Sequence, residues 1–276
     1  MKIVNSMRQL DRELTDAGPR DAIIDGLVRK AHAQLERKFA IMRRPEVAVG
    51  AFASALGPLM IAEGSHGLVL VHYMDCGDAD QQLEKLRQKF DPIKDPRAVE
   101  PVVREIKRLL EGNIGALTRK VDLSLVDSDF RRDALQRLCE VPLGSVVTYQ
   151  ALAAATGAPN AQRAVGTAMA TNPIPVYVPC HRVVRSDCMV GNYGGGPGRK
   201  IKLLRAEGFE IDRGQRLHGV LGDRSTKYYC RPECRSLQRA NRNKLLMFAD
   251  PALARRAGMR PCDLCRPDTG RKSPTN

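Results

Sequence analysis

One run of residues constrains the fold of this chain more than any other: Asn-Pro-Ile-Pro-Val-Tyr-Val-Pro-Cys-His-Arg-Val at 172–183. Its β-branched residues favour an extended backbone, while Pro175 and Pro179 fix φ and remove two backbone donors. The run therefore predicts a rigid extended segment that ends at Cys180, with His181 directly after it. A thiol beside a group that can take its proton is placed like a nucleophile. A cysteine–histidine pair alone is more often a packed cysteine beside a surface histidine, so the neighbouring motifs decide between these interpretations.

Length and charge limit the classes of protein to consider. The 276 residues have room for roughly two or three domains. A net charge of +14 and a pI near 9.7 favour a polyanionic partner, with nucleic acid first and an anionic membrane surface second. No apolar run approaches the ~18 residues of a membrane span, and the first residues are too charged for a secretory signal. We therefore expect a cytoplasmic, nucleoid-associated protein whose eight cysteines are metal ligands or reactive thiols.

The first half of the chain predicts a mixture of helices and strands. Apolar residues recur every four positions between 20 and 40, which predicts a helix in an amino-terminal extension at 1–44 of unassigned function. From 45 onwards, alternating and continuous apolar runs predict a small antiparallel meander, two helices and one further strand. The predicted strands are at 47–53, 58–62, 67–73 and 121–125, and the predicted helices are at 83–90 and 103–110.

The middle of the chain predicts helices. Ser128 is a candidate N-cap, and two short helices, one from Tyr149 and one over 161–170, are separated by a Gly/Pro/Asn turn. Such a pair is a helix-turn-helix candidate, although it is often only structural. The second helix is rich in alanine and glycine. Small residues either let two helices pack tightly or let one helix enter the narrow minor groove of DNA.

The motif at 179–183 resembles the acceptor motif of the O6-alkylguanine-DNA alkyltransferases, which are single-turnover DNA repair proteins. Further matches follow in the order of that family: Thr148-Tyr149, Arg163–Gly166, Asn172-Pro173, Gly191–Tyr193, Leu203-Leu204 and Glu207-Gly208. The resemblance covers roughly residues 45–212. It implies an α+β fold, with a ribonuclease-H-like α/β subdomain at 45–126 and an active-site subdomain with the helix-turn-helix at 127–212.

The resemblance also implies the roles of the repair site. Cys180 would accept the alkyl group, while His181 and Glu207 would activate it through a proton relay that includes water. Asn172 would order the loop behind the cysteine. The substrate pocket would include Val183, Tyr193 and Gly194, where the family often has a serine in place of Gly194.

The same resemblance implies how the chain engages DNA. The second helix, with Ala164 and Gly166 on its small-residue face, would lie in the minor groove. Tyr149 would press on the phosphate of the nucleotide that rotates out of the stack, and Arg163 would fill the vacated space. An intercalating side chain has a physical purpose here, because extruding a base costs a few kcal/mol of stacking and pairing.

The last part of the chain carries a second chemical pattern. Residues 216–276 contain 14 Lys and Arg against 5 Asp and Glu. They also contain two close cysteine pairs, Cys230 with Cys234 and Cys262 with Cys265, which is the spacing of a tetrahedral four-cysteine zinc site. A segment this short has little core of its own, so metal would be needed to fold it.

This segment resembles the metal-binding domain of Ada-type proteins, through Tyr-Cys-Arg-Pro-Glu-Cys at 229–234 and Arg-Pro-Cys-Asp-Leu-Cys-Arg-Pro-Asp at 260–268. In that family the cysteine that matches Cys230 accepts a methyl group from methyl phosphotriesters of the DNA backbone. Here the module follows the alkyltransferase, and no regulatory helix-turn-helix pair follows it. Cys230 is therefore either a second methyl acceptor or only a ligand in a zinc-stabilised DNA clamp.

The sequence thus predicts a DNA repair methyltransferase that moves an alkyl group irreversibly from O6-alkylguanine, and less efficiently from O4-alkylthymine, to Cys180. It predicts structural Zn²⁺, no dissociable cofactor, double-stranded alkylated DNA as the partner, no membrane partner and a monomer. Two alternatives stay open. One is a binding protein that flags alkylated bases without repairing them, although such relatives lack the cysteine. The other is a methyl-sensing transcription regulator.

Overall fold

The computed structural model describes residues 26, 28–34, 44–113 and 115–268. Residues 1–45 and 46–276 form two units. In the first unit, residues 26 and 28–34 are helical. The rest of the helix predicted over 20–40 lies outside the described residues. Within the described part of the chain, no helix is both long and apolar enough to cross a lipid bilayer.

The second unit contains twelve strands and seven α-helices in its described part. The strands are β1 Glu46–Phe52, β2 Leu59–Gly64, β3 Gly67–Tyr73, β4 Asp91–Lys94, β5 Ser145–Thr148, β6 Val183–Val184, β7 Glu210–Ile211, β8 Leu217–His218, β9 Val220–Asp223, β10 Tyr228–Cys230, β11 Leu245–Phe248 and β12 Arg260–Pro261. The helices are α1 Ala79–Lys89, α2 Pro96–Leu110, α3 Asp129–Cys139, α4 Tyr149–Ala155, α5 Gln162–Ala170, α6 Pro197–Ala206 and α7 Pro251–Arg256. Short 3₁₀ turns lie at Leu123–Leu125, Cys180–Arg182, Arg235–Arg239 and Arg242–Lys244.

The first sheet has the strand order β3-β2-β1-β4. The strands β1, β2 and β3 form the antiparallel meander that the alternating residues predict. The polar strand β4 joins parallel to β1, and nothing in its sequence, Asp-Pro-Ile-Lys, indicates this pairing. Its position follows from tertiary packing, because α1 and α2 flank it in sequence and α2 packs on β1 and β2.

The prediction of a strand at 121–125 is wrong. Val121 forms only an isolated bridge to Leu68, and Leu123–Leu125 is a 3₁₀ turn. The Asp122 side chain accepts a hydrogen bond from the Ser124 amide, at 2.9 Å, and so caps a turn where an extended strand was expected.

The second sheet has the order β12-β10-β9-β11-β5-β6. It joins the cysteine-rich segment, which supplies β9 to β12, to the preceding part of the chain, which supplies β5 and β6. Strand β5 leads into α4 and pairs parallel with β6, which follows Cys180. On its other edge, β5 pairs antiparallel with β11, from the cysteine-rich segment. The core is continuous as well, since Tyr229, Phe248 and Leu253 belong to the same buried cluster as Leu135 and Cys180. The segment that the sequence indicates as a separate module is therefore built into the sheet whose strand β6 follows Cys180.

Candidate active site and metal centre

The loop that carries Cys180 is held from behind by Asn172. The Asn172 side-chain amide donates to the Val178 carbonyl at 2.9 Å and to the Cys180 sulfur at 3.1 Å, while its oxygen accepts from the Ile174 amide at 3.0 Å. Between these residues, Val176 is fully buried with φ of +77°, a conformation that costs a β-branched residue energy. The asparagine thus fixes a strained loop and contacts the sulfur directly.

The residue Cys180 is 5% exposed and begins a 3₁₀ turn. Burial raises its pKa, and hydrogen bonds from Asn172 and Tyr193, with the positive charge of Lys200, oppose that rise. Because burial is the largest of these effects, the resting sulfur keeps its proton, and a nearby base must take it before the sulfur can attack.

His181 and Glu207 form a fully buried pair, with Nε2 and Oε1 2.8 Å apart. Burial opposes ionisation of Glu207, yet His181 and Arg182 together hold the pKa of its carboxyl at about 2. An ionised carboxylate only accepts, so His181 must donate from Nε2–H and carry its lone pair on Nδ1. Nδ1 is buried and has no hydrogen-bond partner among the described residues, so it can accept a proton.

Two further buried residues, Arg182 and Lys200, support the site, and the sequence analysis did not identify either of them. Arg182 donates from Nε and NH2 to Glu207 at 2.8–3.1 Å, and from NH1 to the Val141 carbonyl at 2.8 Å. Lys200 is fully buried, and burial lowers its pKa to about 8. Its ammonium donates to the Val183 carbonyl at 2.6 Å and the Asn192 carbonyl at 3.1 Å. One sequence pattern could have indicated that Lys200 is buried, because it lies three residues before the buried Leu203 and therefore on the same, apolar face of α6.

A cavity of about 560 Å³ opens onto Cys180. Asn172, Tyr193 and Gly194 line it, as does Tyr73 from β3. The hydroxyls of Tyr73 and Tyr193 lie 3.0 Å apart. The Val183 side chain lies in the core instead, while its carbonyl accepts a hydrogen bond from the Lys200 ammonium and its amide donates to the Cys180 carbonyl.

The helices α4 and α5 present the remaining predicted residues. Tyr149 begins α4, whose first turn is capped by the Thr148 hydroxyl, which accepts from the Ala151 amide at 3.1 Å. On α5, Arg163 and Ala164 are exposed, and a Cβ at Gly166 would meet no atom within 4 Å. The small residues at 164 and 166 are therefore not explained by tight packing against another part of the described chain.

The four cysteines of the carboxy-terminal segment converge. Their sulfur atoms all lie within 4.8 Å of one another, with those of Cys234 and Cys262 4.0 Å apart. A tetrahedral zinc ion with Zn–S bonds of about 2.3 Å requires sulfur atoms about 3.8 Å apart. The Ser236 hydroxyl lies 3.2 Å from the Cys230 sulfur and 3.0 Å from that of Cys234, and the Arg231 amide donates to the Cys265 sulfur at 3.4 Å. This donor set fits structural zinc and no harder cation.

Comparison with known proteins gives two family matches. Residues 129–209 match the model of the 6-O-methylguanine DNA methyltransferase DNA-binding domain, and residues 212–268 match that of the metal-binding domain of Ada. The bifunctional transcriptional activator/DNA repair enzyme Ada of Escherichia coli is 35% identical over 162 residues, which are 57% of this chain. The matched segment is only 44% of that protein, so this chain spans less than half of it.

Alkyltransferase relatives match over most of their length. A methylated-DNA–protein-cysteine methyltransferase of Mycobacterium tuberculosis is 35% identical over 159 residues, which are 56% of this chain and 88% of that protein. The crystal structure of the M. tuberculosis O6-methylguanine methyltransferase aligns with a TM-score of 0.50 and 30% identity, over 58% of this chain and 92% of the other. The mixed α/β architecture is thus an alkyltransferase fold with a four-cysteine cluster, and the chain belongs to the methylated-DNA–protein-cysteine methyltransferase family.

Proposed function

We propose that this protein repairs double-stranded DNA by moving an alkyl group from O6 of guanine to Cys180, once per molecule. The observation that carries the proposal is the placement of a buried cysteine at an open cavity, bonded to Asn172 and followed by the His181–Glu207 pair. The sulfur forms a bond to the alkyl carbon, the bond from that carbon to O6 breaks, and the guanine oxygen keeps the electron pair. The product is a thioether, which explains why each molecule acts once.

The proton of Cys180 must leave before the sulfur attacks. His181 carries its lone pair on the buried Nδ1 and is locked in that tautomer by Glu207. The Arg182 guanidinium helps to keep Glu207 ionised, so the carboxylate stabilises the imidazolium that forms when the proton moves. Water between the sulfur and the ring completes the path in the family, and His181 is the proton acceptor that the geometry supports best.

DNA engagement is assigned to the helix-turn-helix formed by α4 and α5. The exposed Ala164 and the open space at Gly166 suit entry into a minor groove ~6 Å wide. Tyr149 would then press on the backbone, and Arg163 would replace the extruded base. The first sheet with α1 and α2 would be the ribonuclease-H-like support, at 45–126, and the active-site subdomain would span 127–212. We expect the protein to act as a monomer.

The flipped base would enter the cavity between the acceptor loop and the Tyr193–Gly194 loop. The exposed backbone amide of Gly194 would donate to the guanine oxygen in place of the hydroxyl that a serine offers. A donor at this oxygen stabilises the negative charge that develops as the alkyl bond breaks. O4-alkylthymine presents a similar oxygen and would be a slower substrate.

The carboxy-terminal segment at 216–276 would hold zinc through Cys230, Cys234, Cys262 and Cys265. Zinc with four thiolates is a net negative centre, which supports the fold of the segment and increases the electron density on its sulfur atoms. One observation favours phosphotriester repair as a second function. A cavity of about 270 Å³, lined by Cys230 and Ser236, reaches the cluster from outside. Three exposed arginines of the same segment would bind the neighbouring DNA phosphates: Arg235, Arg239 and Arg242.

The test uses two labelled duplexes, one with O6-methylguanine and one with methyl phosphotriesters, against wild type, Cys180→Ala, Cys230→Ser and Cys139→Ala. Label should enter the wild-type protein from the first duplex and be absent from Cys180→Ala, while the exposed Cys139 serves as a matched control. Label from the second duplex that disappears only in Cys230→Ser would establish the second function. Lesion binding without any transfer from the first duplex would support the lesion-flagging alternative.

A further inference from the structure

The turn before β5 is enclosed by the carboxy-terminal segment on one side and by Glu207 on the other. The Ala249 amide, just after β11, donates to the Gly144 carbonyl at 2.9 Å. Gly144 has φ of +68°, and a Cβ there would lie 2.5 Å from Leu253 Cδ1 and 3.2 Å from the Glu207 carbonyl oxygen. No side chain larger than hydrogen fits between these groups, so Leu253 packs directly against the turn.

This turn holds the buried groups behind His181. The Gly144 amide donates to Glu207 Oε2 at 3.4 Å, and the Val141 carbonyl accepts from Arg182 at 2.8 Å. The backbone after Glu207 is covered by the same elements, since a Cβ at Gly208 would lie 3.7 Å from Ala249 Cβ and 3.8 Å from Leu253 Cδ1. Leu253 therefore packs against the chain both before β5 and after Glu207.

We propose that β11 and α7, through Leu253 and Ala249, position the Glu207 carboxylate for the proton transfer at Cys180. Leu253 is a positioning residue for guanine repair, although it belongs to the segment that carries the zinc ligands. The proposal rests on the function proposed above for Cys180, His181 and Glu207. It makes the segment a part of the guanine-repair machinery, because the distance between His181 and Glu207 depends on a turn that this segment closes.

The physical reason is the precision that proton transfer requires. A displacement of about 1 Å at a catalytic group costs about 10²-fold in rate. Leu253→Ala removes the side chain that fixes the turn at Gly144, so Glu207 gains room to move away from His181. Since the Glu207 carboxylate raises the pKa of His181, against the lowering by burial and by the charges of Arg182 and Lys200, a looser pair should lower that pKa.

The experiment compares full-length, zinc-loaded proteins by single-turnover transfer from an O6-methylguanine duplex. The variants are Leu253→Ala, Leu253→Met, Met259→Ala and Glu207→Gln. Met259 is the matched control, because it is a similarly buried apolar residue of the same segment but lies beside Gly222 on β9, away from the turn. The measured quantities are the first-order rate at saturating DNA, the Kd for DNA, the thermal midpoint and the pH dependence of the rate.

We expect Leu253→Ala to slow transfer by about 10²-fold with an unchanged Kd, and to move the acidic limb of the rate profile to lower pH. Leu253→Met, which refills the space, should restore the rate, and Met259→Ala should lower the thermal midpoint without slowing transfer. A wild-type rate in Leu253→Ala would overturn the proposal, as would slowing in both alanine variants in proportion to their loss of stability. Absence of transfer by the wild type, or a full rate in Glu207→Gln, would overturn the proposed function and this inference with it.

Discussion

Glu207→Gln should destabilise the protein by an amount that depends on pH. Glu207 is 1% exposed and accepts hydrogen bonds from His181, Arg182 and the Gly144 amide. Glutamine at this position leaves the buried guanidinium of Arg182 without its counter-charge. Breaking a buried pair in this way costs about 3–5 kcal/mol, so we expect a loss of that size in the free energy of unfolding near neutral pH.

The pH dependence follows from the lowered pKa of Glu207. Its pKa is about 2 in the folded protein against an ordinary value of 4.5. At about 1.4 kcal/mol per pKa unit, this difference corresponds to about 3 kcal/mol. Because the pKa is lower in the folded state, the stabilisation is fully present above about pH 4.5 and is lost as the pH falls through about 2. The stability difference between wild type and variant should therefore shrink by about 3 kcal/mol across that window.

Urea unfolding under reducing conditions, repeated from about pH 7 to about pH 2, measures this difference. Metal release at low pH affects wild type and variant equally, so subtracting the two curves isolates the carboxyl group. The exposed Glu46→Gln controls for loss of one negative charge. A stability difference that stays constant with pH, or that is below about 1 kcal/mol at neutral pH, would refute the assignment of Glu207 as the buried counter-ion of Arg182.

Four further variants or treatments test other parts of the account. Cys180→Ala should abolish transfer and retain lesion binding in a gel-shift assay, and an equal loss of binding would make Cys180 a structural residue. Asn172→Ala removes a hydrogen bond to the sulfur and should slow transfer by about 10- to 100-fold in a single-turnover assay; an unchanged rate would remove its role. Arg163→Ala should slow transfer by destabilising the extruded base, with little effect on the folded stability measured by urea, and a wild-type rate would exclude intercalation. Removal of zinc by a strong chelator should lower the thermal midpoint, and added zinc should restore it; an unchanged midpoint would contradict a structural metal.

The sequence predicted the parts of the fold that depend on local chemistry. The alternation at β1 and the runs at β2 and β3 identify the meander, and Ser128 caps α3 as its residue type predicts. The two cysteine pairs predicted a cluster that the structure forms, because four thiols at that spacing have few other stable arrangements.

Other features depend on contacts between segments that are far apart in the sequence. The polar strand β4 is stabilised by pairing with β1, which no local pattern reveals. The residue type of Lys200 predicts an exposed charge, and only the structure shows that its ammonium donates to the carbonyls of Val183 and Asn192. The pairing of β11 with β5 was also unpredictable, because a short apolar strand carries no information about its partner.

The most direct test of the central claim is peptide mass spectrometry of the protein after incubation with an O6-methylguanine duplex. The account predicts one methyl group per molecule, on the peptide that contains Cys180, with the guanine returned to its unmodified form in the same duplex. A methyl group on any other residue, or repaired DNA with an unmodified Cys180, would contradict it.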